Sequence, residues 1–296
     1  MKRKTVKNLQ IFGTVLALAI SSFTINKNGV NSTTEFNNSV IFEQNIDDLN
    51  EYVLQGLCKV DDNYCVSAYS YNRVNNSIVY IFDKDFKHYR KKELDTNSHV
   101  GGITYDPINE NIWVTDTEGT ISAYSKEELL GPNEKVQPKY KKVYVGEELD
   151  NCFGICSVAY ITYFDNKLYL GNYNNSDNSI IKEYSLYDSG MIDRRSYRKM
   201  FVSDYIQGIT FYEDDNDRYL ITSSSYGRLF NSKLRIYSVD SLEMVQELNT
   251  KEMMEEIIID DDRLITLYES NARIYQSSRE GNDIVISNIN KILTKR

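Results

Sequence analysis

One layout repeated five times constrains this chain more than any other feature. The copies start at Gln55-Gly56-Leu57-Cys58, Gly101-Gly102-Ile103-Thr104, Phe153-Gly154-Ile155-Cys156, Gln207-Gly208-Ile209-Thr210 and Glu255-Glu256-Ile257-Ile258, their second positions spaced by 46, 52, 54 and 48 residues. A second apolar run follows each start: Tyr64-Cys65-Val66, Ile112-Trp113-Val114, Leu168-Tyr169-Leu170, Tyr219-Leu220-Ile221 and Leu264-Ile265-Thr266. Asp61-Asp62-Asn63, Asp106-Pro107, Asp165-Asn166, Asp214-Asp215-Asn216 and Asp260-Asp261-Asp262 separate the two runs, which is hairpin chemistry. Third runs are Ile78 to Phe82, Ile121 to Tyr124, Ile180 to Tyr184, Leu234 to Tyr237 and Ala272 to Tyr275. More polar segments such as Tyr89 to Leu94 and Met244 to Leu248 close the units.

Self-similarity at this period marks a repeat architecture, and polarity rising from first strand to last suits a blade with a crowded inner strand and a wet outer edge. The expected fold is all-β: a five-bladed β-propeller of four-stranded antiparallel blades, approximately residues 50–95, 96–148, 149–200, 201–250 and 251–296. Gly at four of the five starts fits inner strands that converge on an axis, where a side chain would compete with the neighbouring backbone. The last unit is expected to end in an outer strand near Ile284 to Leu293. Ser39-Val40-Ile41-Phe42-Glu43 either latches onto that blade's outer strand or serves as an extended lead-in. A length of 296 residues is compatible with one all-β domain.

The N-terminus has another character. Lys2, Arg3, Lys4 and Lys7 precede an apolar run from Leu9 through Phe23 with small residues at its end. This is the layout of a secretory leader, expected at residues 1–21, with an uncleaved anchor as the competing reading. Residues 22–38, rich in Asn, Ser and Thr, read as a flexible linker, and 39–296 as the folded propeller. The expected location is secreted or extracytoplasmic, with no stable membrane span once the leader is removed. With 43 acidic against 34 basic residues, no nucleic-acid partner is expected; Arg194, Arg195, Arg198 and Lys199 read as a solvated outer strand.

The segment from Asn97 to Asp106, with Ile112-Trp113-Val114, resembles in repeat style the broad group of secreted bacterial propellers that includes gluconolactonase-like and NHL or YVTN-type proteins. The likeness extends over about residues 50 to 293. It implies a propeller fold. The metal site that gluconolactonase-like enzymes build at the central channel has no matching set of residues, so no family catalytic residue is carried over.

Candidate chemistry is sparse. His88 lies in a charged outer strand, whereas His99 just precedes an inner strand, where it serves either the loop's structure or the channel mouth as base or ligand. No Gly-x-Ser-x-Gly elbow stands in the chain, and no His pair has zinc spacing, so no metal centre is assigned. Asp116, Asn172 and Glu269 end second strands at matching places, where they could hold Ca²⁺ or flank a sugar, or act merely as turn residues. Tyr69, Tyr173 and Tyr268 recur just there, either to stack on a sugar or peptide or to fill space between blades. If Asp61 and Asp62 form a two-residue loop, Cys58 faces Cys65, and export would permit a disulfide between them; buried free thiols are the alternative. Cys152 and Cys156 frame the expected third inner strand.

Two functions fit these observations. The first is an exported binding module that recognises a carbohydrate, peptide or cell-surface component through loops at one face, with no required cofactor. The second is a hydrolase of the lactonase, esterase or glycosidase kind with a carboxylate or metal site at the channel mouth. An acidic cluster at the axis would separate the second from the first.

Overall fold

The computed structural model describes residues 36–46, 49, 51–116, 119–145, 158–175, 178–214, 217–275 and 283–293. The expected leader, 1–21, and Cys152 and Cys156 lie outside the described residues. Five four-stranded antiparallel sheets make the five blades of a propeller. Blade one is β2 (Tyr52–Val60), β3 (Asn63–Ser70), β4 (Ile78–Phe82) and β5 (Tyr89–Glu93). Blade two is β6 (Ile103–Asp106), β7 (Asn111–Thr115), β8 (Thr120–Ser125) and β9 (Tyr140–Tyr144). Blade three is β10 (Tyr160–Phe164), β11 (Lys167–Gly171), β12 (Ser179–Leu186) and β13 (Ile192–Val202). Blade four is β14 (Ile206–Glu213), β15 (Arg218–Ser224), β16 (Lys233–Ser238) and β17 (Met244–Asn249).

Blade five departs from the sequence reading. Its inner strands are β18 (Met254–Asp260) and β19 (Arg263–Tyr268), its third is β20 (Ile284–Asn288), and its outermost is β1 (Val40–Gln44). Ala272 to Tyr275 is therefore not a third strand; Arg273–Tyr275 form a 3₁₀ turn instead. Ile284–Asn288 takes the third place because its apolar run pairs residue by residue with Arg263 to Leu267. The N-terminal segment fills the fourth place, pairing Gln44 with Ile284 and Val40 with Ser287. The latch is thus the outer strand itself. The expected linker also ends early: residues 36–39 form a helical turn, and Phe36 is buried with Ile289 and Ile292 of the short helix Ile289–Ile292.

Five apolar clusters hold the ring, one at each blade junction. Val53, Cys58, Cys65 and Ile81 meet Ile103, Ile112 and Tyr124 between blades one and two. Trp113 and Ile121 meet Ile161 and Leu170 between two and three, and Tyr160 and Ile181 meet Ile209 and Leu220 between three and four. Ile221 and Leu234 meet Ile257 and Leu264 between four and five, and Ile265 and Ile284 meet Leu54 and Val66 between five and one. Each blade thus buries both faces against neighbours, the arrangement that stabilises radial repeats without a central core.

Inner-strand crowding accounts for three of the repeated glycines. A Cβ on Gly56 would lie 2.7 Å from the Ile103 nitrogen, on Gly102 2.7 Å from the Ile161 nitrogen, and on Gly208 2.9 Å from Glu256 Cα. The third inner strand is Tyr160–Phe164, with Tyr160 at the place equivalent to Gly56, Gly102 and Gly208; the expected start at Phe153-Gly154 lies outside the described residues. The first hairpin pairs as expected, with Val60 opposite Asn63 and Cys58 opposite Cys65. No disulfide joins them; both are buried free thiols. Burial first, and the neighbouring Cys65, push the Cys58 thiol well up, which disfavours the thiolate that disulfide exchange needs. Among the described residues no helix is long and apolar enough to cross a membrane.

Candidate functional site

The inner strands β2, β14 and β18 share an irregularity at their first turn into the ring. Pairing slips between Leu54 and Leu57, between Ile206 and Gly208, and between Met254 and Ile257. Such bulges interrupt the ladder and re-aim a side chain. The slips span Gln55 and Gly56, Gln207, and Glu255 and Glu256, and Gln55, Gln207 and Glu255 present polar side chains at one end of the ring. Ser67 and Ser223 tie these bulges to the next blade, donating to Val100 O (2.8 Å) and Glu255 O (2.6 Å).

Glu255 does not stand alone there. Its carboxyl is hydrogen-bonded to that of Glu269, which follows β19. Gln55 Nε2 donates to Glu269 Oε2 (3.1 Å) and Gln207 Nε2 to Glu255 Oε1 (3.5 Å). The Tyr275 hydroxyl, delivered by the 3₁₀ turn, also bonds Glu269 and in turn Tyr69. Burial pushes the Glu269 carboxyl up to about 7, against the hydrogen bonds from Glu255, Gln55 and Tyr275. Glu255 is pushed well above the ordinary carboxylate range, by burial and then by the charge of Glu269. Two adjacent carboxyls in low dielectric cannot both ionise easily, so the pair holds a proton at neutral pH. Glu255 is 4% exposed, whereas Glu269 remains partly accessible.

Aromatic rings and two arginines surround the pair. The Tyr69 ring lies 4.5 Å from that of His99, with the Arg73 guanidinium 4.3 Å above it. Arg228 lies 4.5 Å over Tyr275. On the blade-four side Tyr173, Tyr205 and Tyr226 form a chain of ring contacts at 5.7 and 4.5 Å. His99 is exposed, and desolvation by the surrounding protein, then the Arg73 charge, lower its pKa to about 4. It is neutral at pH 7. Burial, with contributions from Tyr205 and Glu255, raises Tyr173 to about 12. The channel beyond is narrow, about 140 Å³, and lined by Leu57, Ile103, Ile161, Ile209 and Ile257 with Glu256 among others.

The residues singled out from sequence divide accordingly. Glu269, Tyr69, His99 and Tyr173 fall around this pair. Tyr268 turns the other way, 1% exposed among Met254 and Leu264 between blades four and five, because strand alternation sends it to the opposite face from Glu269. Asp116 is a structural tie: its oxygens accept from Thr96 Oγ1 (3.0 Å) and Ser122 Oγ (3.2 Å). Asn172 is buried beside Tyr173. Among the described residues no cluster of His, Cys, Asp and Glu has the geometry of a metal site. Gln55, Gln207, Glu255, Arg73, Arg228 and Tyr275 were missed. A signal for three of them was present: Gln, Gln and Glu precede the second position of the first, fourth and fifth starts.

No family model matches the chain, and no curated protein matches it. Solved structures do. Glutaminyl cyclase from Myxococcus xanthus aligns with a TM-score of 0.53 at 10% identity, over 84% of this chain and 96% of its own. An α-L-arabinofuranosidase from Clostridium thermocellum gives 0.52 at 9%, over 82% and 90%. The PQQ-bound aldose sugar dehydrogenase from Streptomyces coelicolor gives 0.50 at 12%, over 84% and 97%. At these identities the likeness concerns the propeller fold alone.

Proposed function

We propose that the chain is an exported hydrolase of the lactonase or esterase kind, working at the end of the ring where Glu255 and Glu269 meet. One observation carries this reading: two adjacent carboxyls, hydrogen-bonded and raised in pKa, one of them reachable from solvent. Such a pair shares a proton near neutrality, so one member can act as base while the other acts as acid. The ionised member takes a proton from water as the water oxygen attacks the ester carbonyl. The protonated member donates to the carbonyl oxygen; as the carbonyl re-forms that proton returns to its donor, and the proton taken from water passes to the departing alkoxide, so the pair ends as it began. Direct contact between the carboxyls argues against a glycosidase, whose two groups stand about 5 Å or more apart.

The binding-module reading has one observation of its own, the ring chain Tyr173–Tyr205–Tyr226, which offers apolar faces beside the pair. It predicts ligand binding without turnover. A panel of aryl esters and aliphatic lactones, assayed with the full-length chain and with Glu269→Gln, separates the two. Turnover that falls at least a hundredfold in Glu269→Gln, with binding retained, supports the hydrolase. Absence of turnover across the panel favours the binder.

A further inference from the structure

Two guanidiniums at this site keep their N–H edges out of close ion pairs. Arg73 and Arg228 are both exposed, and among the described residues neither lies within ion-pair distance of a carboxylate, although the Arg228 charge acts at longer range on Glu269. Each instead lies flat over a tyrosine, Arg73 at 4.3 Å from the Tyr69 centroid and Arg228 at 4.5 Å from that of Tyr275. Those two tyrosines are hydrogen-bonded to each other, and Tyr275 to Glu269, so both cations stand over one continuous path into the carboxyl pair. Stacking occupies a guanidinium's face and leaves its N–H edge directed outward, the edge that grips a carboxylate in two parallel bonds.

The loop carrying Arg73 is built to hold it there. Asn72 Oδ1 accepts from Ser70 Oγ (2.7 Å) and Val74 N (2.9 Å), and Asn97 Nδ2 donates to Arg73 O (3.1 Å). Arg73 itself is fixed at φ +56°, a left-handed conformation that a non-glycine residue adopts at a cost and that recurs at ligand clamps. Below the rim, the Gln55 and Gln207 amides and the Tyr69 and Tyr275 hydroxyls offer both donors and acceptors, which suits a ligand rich in hydroxyl groups.

We propose that this mouth selects small polyhydroxylated ligands bearing a free carboxylate, of the uronic-acid kind, with Arg73 and Arg228 holding the carboxylate at the rim. The inference rests on the mouth being the ligand site but not on its being catalytic. Neutral sugars lack the partner for the two cations, and anions without hydroxyls lack partners for the amides below.

His99 supplies the readout, since its ring contacts Tyr69 beside Arg73 and the only other histidine, His88, lies not on an outer strand, as the sequence suggests, but in the turn just before β5. The full-length chain with ¹³C-labelled histidine is titrated with D-glucuronate, D-glucose and acetate at pH 7. A saturable His99 shift is expected with glucuronate, at an affinity at least tenfold tighter than for glucose or acetate. Arg73→Gln with Arg228→Gln should abolish that preference, and the Lys replacements should restore part of it. The titration reads binding in the unsubstituted chain and requires no turnover, so a blank ester and lactone panel would end the proposed reaction and leave this inference standing. Equal responses to glucuronate, glucose and acetate, or none with glucuronate, would overturn it, and that comparison needs only the unsubstituted chain.

Discussion

The two ends of β18 carry acidic residues in opposite circumstances. At its end, Asp260 is buried, yet Lys59 Nζ donates to it at 2.5 Å, and Tyr64 and Arg263 donate as well. Burial works to raise its pKa, and those three partners outweigh burial and hold it below the ordinary value. At its start, Glu255 and Glu269 have glutamines, a tyrosine, each other and the charge of Arg228, which forms no ion pair with them, and burial prevails. A carboxylate met by cations from the next blade is a clasp: Asp260 and Arg263 belong to blade five, Lys59 and Tyr64 to blade one, so the cluster closes the ring. A buried pair without such compensation costs stability and persists where its chemistry is wanted.

The largest effect should come from opening the closed end altogether. A chain beginning at Asn45 lacks β1 and Phe36, leaving the β20 edge unpaired and the cluster around Ile289 unfilled. It should lose its cooperative melt and aggregate through the exposed edge; an unchanged melting temperature would show that the latch is dispensable. Asp260→Ala comes next. It strands Arg263 and the Tyr64 hydroxyl at the blade five–one seam, and the expected loss is roughly 3 kcal/mol in chemical denaturation. A loss below about 1 kcal/mol would remove Asp260 from the clasp.

At the other end the sign should invert. The Glu269 carboxyl titrates at about 7 in the folded chain against 4.5 for an unperturbed glutamate. Between these values the folded state keeps a proton that the unfolded state has released, so stability falls as pH climbs from 4.5 through 7. Asp260 acts the other way: its pKa is lowered, so its contribution is present above 3.8 and is lost as pH falls through the folded value. Glu269→Gln should make the limb between 4.5 and 7 shallower, the raised Glu255 and Glu256 carboxyls keeping part of the slope, and gain on the parent by on the order of 2–3 kcal/mol across it. Denaturant melts at half-unit steps of pH read this directly. Parallel profiles for parent and variant would show that Glu269 is not the titrating group.

These two ends were unequally legible in the sequence. The propeller was readable because apolar runs, Asp-rich turns and axial glycines recur in register, and periodicity survives errors in single copies. It holds even for blade three, whose inner strand begins at Tyr160, six residues after the Gly154 that the repeat pattern points to. Blade five was harder, because its last strand comes from residues 40–44, and pairing between chain ends leaves no local pattern. The carboxyl pair was half visible. Glu269 stood out by position, whereas Glu255 depended on a bulge, which shifts a residue's facing without changing its type. Tyr268 and Glu269 are adjacent and both looked eligible, and alternation on the strand sends only one of them to the mouth.

Redundancy at the seam supports the smallest prediction. Lys59 is one of three donors to Asp260, and its side chain is 41% exposed, so water can replace much of what it gives. Arg263 and Tyr64 remain on the other carboxylate oxygen after Lys59→Met. The substitution should therefore cost less than about 1 kcal/mol at pH 7, as a half-exposed ion pair does. Its trace should be clearer in acid than at neutrality. With one donor gone, the Asp260 pKa rises toward its unperturbed value, and the acid limb of the stability profile moves to higher pH while the limb between 4.5 and 7 stays in place. A loss at pH 7 as large as that of Asp260→Ala would mean that Lys59 alone compensates the buried charge, and the contrast with the mouth would then rest on a single half-exposed lysine.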